Sequence, residues 1–244
     1  MIPHMQPESS LQHIRAITLD LDDTLWEIGP VIRNAEERLK AWLEQHYPRI
    51  NQRFSSEEVL DIRRAVTEEF PARSHDLGFL RRTVLERMAT GAGYEAALAE
   101  EAFSVFYSAR NEVDLYPDVL PHLERLHARF AVVAVTNGNA NLETIGIRHL
   151  FHGVVTATDA GVAKPARRIF DVAVEITGVS AREVLHVGDH PEADVRGAQE
   201  AGLTTAWINR LGHPWPEHLE SPDATVACMG ELWRLLEPQT AVDA

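Results

Sequence analysis

Asp20, Asp22 and Thr24 alternate along Thr18-Leu19-Asp20-Leu21-Asp22-Asp23-Thr24-Leu25, directly after the apolar pair Ala16-Ile17. Side chains two apart on an extended chain point the same way, so these three polar groups converge where a short buried strand ends. Two carboxylates held that close are costly unless a cation lies between them, and a hard, oxygen-seeking ion such as Mg2+ meets that need. The segment therefore reads as the beginning of an active site.

Further chemistry-bearing residues follow later apolar runs. Val132-Val133-Ala134-Val135 ends in Thr136-Asn137-Gly138-Asn139, and Gly153-Val154-Val155-Thr156-Ala157 leads through a loop to Lys164-Pro165 and a helical pattern. Val184-Leu185-His186-Val187 ends in Gly188-Asp189-His190-Pro191-Glu192-Ala193-Asp194. Carboxylates, a hydroxyl, a lysine and an acidic cluster thus stand at or just after the carboxyl ends of buried strands. In a parallel α/β sheet those ends share one edge, where ligands bind.

In order and in residue type these segments resemble the four motifs of the haloacid dehalogenase-like (HAD) hydrolase superfamily. The first is Asp20-Leu21-Asp22-Asp23-Thr24, the second Thr136-Asn137, the third Lys164-Pro165, and the fourth Gly188-Asp189 with Asp194. The resemblance spans Ile14 to Asn209 and includes the run Gly197-Ala198-x-x-Ala201-Gly202-Leu203. It implies a Mg2+-dependent phosphatase acting on a small phosphorylated metabolite. Asp20 would be the nucleophile that forms an aspartyl-phosphate, and Asp22 the acid toward the leaving alcohol and then the base for water. Mg2+ would be held by the Asp20 carboxylate, the Asp22 main-chain carbonyl and the Asp189 carboxylate. Lys164 would neutralise the nucleophile and the phosphoryl oxygens, which Thr136 and the Asn137 amide would hydrogen-bond. Asp194 would orient Lys164 or a water, Thr24 would support Asp20, and Asp23 would cap the turn.

The elements that must position these groups are an α/β core with a Rossmann-like parallel sheet of about six strands, helices on both faces, and an inserted helical domain. The long interval between Thr24 and Thr136 carries apolar residues at helical spacing: Ile32, Ala35, Leu39 and Leu43; Val59, Ile62, Val66 and Phe70; Leu80, Val84, Leu85 and Met88; and Leu98, Ala102, Phe106 and Ala109. The spacing predicts four helices, punctuated by Pro48, Pro71, Gly91 and Gly93. By resemblance this is a C1 cap, with residues 1–27 and 115–244 as the core and 28–114 as the cap. A loop from His75 to Phe79, followed by Arg81 and Arg82, is expected to read the substrate, with Phe79 and Arg81 as its contacts. Pro117-Asp118 stands where the resemblance leads to Pro-Gly. Trp26 is an expected packing anchor close to the pocket, and the tail beyond Leu236 is expected to fray.

Composition narrows the partners. With 45% hydrophobic and 25% charged residues among 244, the chain is large enough for a good core plus a smaller domain. A formal charge of −14 disfavours a nucleic-acid partner, whose affinity comes from clustered Lys and Arg. The single cysteine, Cys228, permits no intrachain disulfide. Met1 to Gln12 lacks the apolar segment of a signal peptide and no run is long enough to span a bilayer, so a cytoplasmic monomer or homodimer is expected.

Other activities compete for the same residues. A dehalogenase also uses the first aspartate, but the second carboxylate, Asp22, marks proton transfer to a leaving alcohol. A phosphomutase would keep all four motifs, a non-catalytic phosphate-binding regulator would have lost one, and a phosphoryl-accepting receiver would lack the helical insertion. The stretch Leu19 to Pro30 also resembles the branch of flavin mononucleotide phosphatases and riboflavin-intermediate phosphatases. Sugar phosphates, phosphoglycolate and nucleoside monophosphates are the other substrate classes left open.

Overall fold

The computed structural model describes residues 11–237, so the expectations for the first ten residues and for the tail past Glu237 fall outside it. A six-stranded sheet organises the core: β1 (Ala16–Leu19), β2 (Ala131–Thr136), β3 (Gly153–Thr156), β4 (Val184–Gly188), β5 (Thr204–Ile208) and β6 (Ala224–Val226). All neighbours pair in parallel, in the order β3-β2-β1-β4-β5-β6. Strands covered on both faces read as continuous apolar runs, and β1 and β4 are buried along their whole length. Successive strands first build outward from β1 on one side and then on the other, so the topological switch lies between β1 and β4. Ligands of open α/β sheets bind outside the strand ends at such a switch.

The insertion between β1 and β2 begins with five helices: α1 (Ile28–His46), α2 (Pro48–Arg53), α3 (Ser56–Glu69), α4 (Leu77–Gly91) and α5 (Leu98–Arg110). The predicted helices correspond to α1, α3, α4 and α5. The short α2 was not foreseen; Pro48 opens it at the first helical position instead of merely separating its neighbours. Helix α3 starts from a capping box between Ser55 and Glu58, and α4 from Asp76, whose carboxylate accepts the Phe79 amide at 2.9 Å. That cap corrects the expected loop, because Leu77 to Phe79 form the first turn of α4 and Arg81 and Arg82 follow on it. The five helices enclose an apolar cluster of their own, built on Leu39, Leu43, Val66, Leu85 and Phe106.

Helices α6 (Val119–Arg129) and α11 (Met229–Leu236) cover one face of the sheet. On that side lie also the short α7 (Leu142–Ile145) and the chain around Leu150. The opposite face is packed by α9 (Arg167–Thr177) and α10 (Gly197–Ala201), with the short α8 (Ala157–Ala160) at its margin. The two linkers of the insertion run side by side: Trp26 bridges to Leu115, and the Tyr116 amide donates to Leu25 O at 3.0 Å. Among the described residues no helix is long and apolar enough to cross a membrane.

Candidate active site

The register of β1 against both neighbours fixes the centre of the site. Leu19 pairs with Ala134 and with Val187, so Asp20 emerges at the edge between β2 and β4, its amide donating to Val187 O at 2.9 Å. Lys164 reaches it from the loop beyond β3. Its Nζ lies 2.5 Å from Asp20 Oδ1, 2.6 Å from Asp194 Oδ1 and 2.9 Å from Val135 O, with only 3% of the side chain exposed. The main chain of that lysine is pinned by Asn137, whose side chain accepts the Lys164 amide at 2.7 Å and donates to its carbonyl at 3.0 Å. Asn137 thus holds the lysine with its side chain, leaving its own amide for other use.

Asp194 sits in one turn of π-helix, Pro191–Arg196, after β4. Such turns are rare and concentrate at functional sites. Both its oxygens are engaged: Oδ1 by Lys164 and by His186 Nε2 at 3.2 Å, and Oδ2 by the His190 amide at 2.9 Å. Gly188 makes this approach possible, since a Cβ there would lie 2.2 Å from Asp194 Cγ. His186 is fully enclosed, with Nδ1 2.8 Å from the Thr18 hydroxyl, and burial pulls its pKa down. A neutral ring that accepts from Thr18 and donates to Asp194 satisfies both contacts.

Charge is unevenly balanced. Burial lowers the Lys164 pKa, but Asp194 and Asp20 more than reverse this and hold it well above the usual lysine range. Burial also raises Asp194, yet Lys164 and His186 bring it below the usual carboxylate range. Asp20 is raised by burial and by Asp194 and Asp189, against the pull of Lys164. Asp189 is pushed up to about 7, by burial first and then by Asp194 and Asp23. Carboxylate oxygens of Asp20, Asp189 and Asp194 lie within 4.8 Å of one another. With Asp194 already saturated, Asp20 and Asp189 are the two whose upward shifts a further positive charge would relieve. The donors are all hard oxygens, which fits a divalent cation of the Mg2+ type.

Thr24 donates to Asp20 Oδ2 at 3.3 Å, and Thr136 Oγ1, at the end of β2, accepts the Gly138 amide at 2.9 Å. Asp23, expected to cap the turn, adopts φ 61° and its carboxylate accepts the Ile28 amide at 3.0 Å, at the first residue of α1. Asp22 is held differently from Asp20. Arg110 Nη2 donates to both its oxygens at 2.9 Å, and Trp26 Nε1 donates to Oδ1 at 2.9 Å. Arg110 is thus a second cation beside these aspartates, paired with Asp22 as Lys164 is with Asp20. Trp26 is fully buried and holds Asp22.

Asp118, the unexpected residue after Pro117, also has a place. Arg210 forms a bidentate pair with it at 3.0 and 3.1 Å, donates through Nε to Thr24 O at 3.0 Å, and lies over the Tyr116 ring. Asp118 further accepts the Met229 amide that opens α11. Arg210 thereby joins the loop after Asp20 to the returning linker.

The predicted substrate contacts separate. Arg81 lines a cavity of about 750 Å³ inside the helical insertion, between α1, α3 and α4, that also reaches Asn139 beside the core. It shares the Glu36 carboxylate with Arg63, at 2.9 and 2.8 Å, and its guanidinium stacks 3.4 Å from the Phe106 ring centre. Phe79 does not line that cavity; its ring meets Phe70 edge-on at 5.1 Å and carries Arg73 3.5 Å above it.

The chain is similar to known proteins in sequence and in fold. A 5-amino-6-(5-phospho-D-ribitylamino)uracil phosphatase YigB of Escherichia coli (strain K12) is 34% identical over 81% of this chain and 84% of its own length. A phosphoserine phosphatase of Thermus thermophilus is 31% identical over 90% of this chain and 98% of its own. Among solved structures, a 2-haloacid dehalogenase from Pseudomonas syringae pv. Tomato DC3000 superposes with a TM-score of 0.88 at 36% identity, covering 91% of this chain and 98% of that one. The family model for haloacid dehalogenase-like hydrolases matches residues 14–202, the stretch that carries Asp20, Thr136, Lys164, Asp189 and Asp194 to one sheet edge, and the chain belongs to that family.

Proposed function

We propose that this protein is a phosphatase of small phosphorylated metabolites that works through an aspartyl-phosphate on Asp20. The observation that carries the reading is the pair of carboxylates in different settings: Asp20 buried against Lys164, and Asp22 two residues on, turned away from that ion pair and 22% exposed. An Asp20 oxygen attacks phosphorus as the bond to the ester oxygen breaks, and Asp22 gives its proton to the departing alkoxide. Asp22 then takes a proton from water, whose oxygen attacks the same phosphorus; phosphate leaves and the Asp20 carboxylate is restored. Lys164, the Thr136 hydroxyl and the Asn137 amide meet the charge on the phosphoryl oxygens.

A Mg2+ ion would be held by the Asp20 and Asp189 carboxylates and the Asp22 main-chain carbonyl, and when bound it supplies charge neutralisation to the phosphoryl group. Asp194 orients Lys164. On this reading residues 28–114 form a cap over the core, and the cavity inside it receives the alcohol part of the ester. Its walls include the apolar Leu43, Phe54, Val59, Leu80 and Val84, and among its polar residues are the charged Glu36, Glu37, Lys40, Arg63 and Arg81. Such a chamber suits a bulky, ring-bearing leaving group, in keeping with a riboflavin-pathway or flavin phosphate, better than a small amino-acid ester.

The test is a Mg2+ screen over ring-bearing and small phosphate esters, with free phosphate as the readout and Asp20→Asn as control. Asp20→Asn should abolish turnover while the fold persists. Because a structural relative bears the name of a dehalogenase, 2-chloropropionate belongs in the same screen. Halide release without phosphate release would replace the phosphatase reading with carbon–halogen chemistry.

A further inference from the structure

Asp22 is held from both ends of the helical insertion. Trp26 lies on the entering linker and Arg110 closes α5, the last helix before the returning one, and each places an N–H on the Asp22 carboxylate. Arg110 comes 88 positions later in the chain, yet its side chain is only 2% exposed. Its Nε donates to Asn139 Oδ1 at 3.2 Å, which ties it to the loop following Thr136. Its Nη1 is buried with no hydrogen-bond partner among the described residues.

The contacts to Asp22 fix more than a distance: Nη2 meets both carboxylate oxygens and Trp26 adds an N–H to Oδ1, so the plane of that carboxylate is set from two sides. The guanidinium is placed by what Nη2 must hold. The core also makes room for it: Gly138 has no side chain where a Cβ would lie 2.5 Å from Asp22 Oδ2, 3.1 Å from Arg110 Nη2 and 3.2 Å from Thr136 Oγ1. Three groups from three elements therefore meet over one glycine, beside the phosphate-binding end of β2.

We propose that Arg110 is a positioning residue that sets the orientation of the Asp22 carboxylate for proton transfer, a role that presupposes the phosphatase reading above. Without Arg110, the carboxylate keeps only Trp26 as a fixed donor and turns toward water. Esters whose leaving group needs a proton then suffer most, because a stable phenolate departs without one.

The test uses the full-length protein with Mg2+ and a series of ring-substituted phenyl phosphates. Arg110→Met should lower kcat/KM, which reports transfer of the phosphoryl group to Asp20, about tenfold more for unsubstituted phenyl phosphate than for 4-nitrophenyl phosphate, while kcat, which also contains the common breakdown of the aspartyl-phosphate, falls for both. Arg110→Lys, which keeps the charge on a single nitrogen, should recover part of kcat; it carries the same comparison if Arg110→Met does not fold. In an Asp22→Asn background, Arg110→Met should add less than about twofold, since both changes remove one function. Equal losses of kcat/KM across the series, or losses that multiply in the double variant, would overturn the inference and leave the pair as a staple. If the wild-type protein releases phosphate and Asp20→Asn does not, either result counts against Arg110 alone; a wild-type protein inactive on every ester removes the phosphatase reading and the inference together.

Discussion

Replacing Lys164 by Met tests how far the buried charges depend on one another. The ammonium lies 2.5 and 2.6 Å from the carboxylates of Asp20 and Asp194 and 2.9 Å from Val135 O, and the Met side chain fills similar space with no donor. Removing one partner of a buried ion pair costs about 3–5 kcal/mol, because the remaining charge stays desolvated. For a chain of this size, each kcal/mol lowers the melting temperature by roughly 2–4 °C, so a fall of about 10 °C is expected. The pH dependence follows from the shifts. The raised pKa of Lys164 gives stability that is present below the ordinary lysine value and lost as pH rises through its folded value. The lowered pKa of Asp194 gives stability that is present above the ordinary carboxylate value of about 4 and lost as pH falls through its folded value. The pair therefore contributes fully at pH 7. In Lys164→Met, Asp194 and Asp20 have no cation and take up protons, so the penalty shrinks between pH 8 and pH 5. Urea unfolding of metal-free protein across that range measures it. A penalty below about 1 kcal/mol, or one that does not change with pH, would refute the view that Lys164 neutralises these carboxylates.

Two further outcomes follow from the same geometry. If Asp189 holds Mg2+ in its ionised form as proposed, then, since burial and neighbouring carboxylates push it up to about 7 and Asp20 is raised as well, Mg2+ affinity should rise with pH through about 7. Below 7 it should fall by roughly tenfold per unit, with proton release visible in calorimetry in buffers of different ionisation heat; a flat affinity from pH 8 to 5.5 would remove Asp189 from the ligand set. Val59→Phe, which thickens a wall of the cavity in the insertion, should raise KM for ring-bearing esters by about tenfold and that for acetyl phosphate far less. Equal effects on both would mean that the cavity does not receive the leaving group.

The core was legible because its strands are buried on both faces and its reactive residues follow them directly. Asp20, Thr136 and Asp189 are read from a run of Val, Leu and Ala that stops at a polar residue, and the parallel register then brings them to one edge. Arg110 was not legible in that way. A charged residue near the end of an amphipathic helix ordinarily reads as solvated, and its burial depends on the loop of Asn139 and on Asp22. A signal did exist, since Leu98, Ala102, Phe106 and Arg110 recur every four residues and place the arginine on the apolar stripe itself. Asp118 is similar: its partners, Arg210 after β5 and the Met229 amide at the start of α11, are distant in sequence and only the folded sheet brings them close. The cavity in the insertion is a property of how α1, α3 and α4 fail to close on one another, which helical spacing does not encode.

The two aspartates that begin the site are governed by different parts of the molecule. Asp20 is fixed by the core: β1 carries it, β4 accepts its amide, and the loop after β3 supplies its cation. Asp22 is only two residues away, but its partners stand where the chain enters and leaves the insertion, Trp26 on the entering linker and Arg110 at the end of α5. The alternation of a strand sends the two side chains toward one region, and the ion pairs then divide them. On the proposed mechanism, attack on phosphorus would depend on groups that the core packing holds still, and proton transfer on groups at the two ends of the insertion. If the proposed mechanism holds, a change in the insertion should alter leaving-group handling and substrate choice while Asp20 keeps its setting, and Arg110 is the place to alter one without the other.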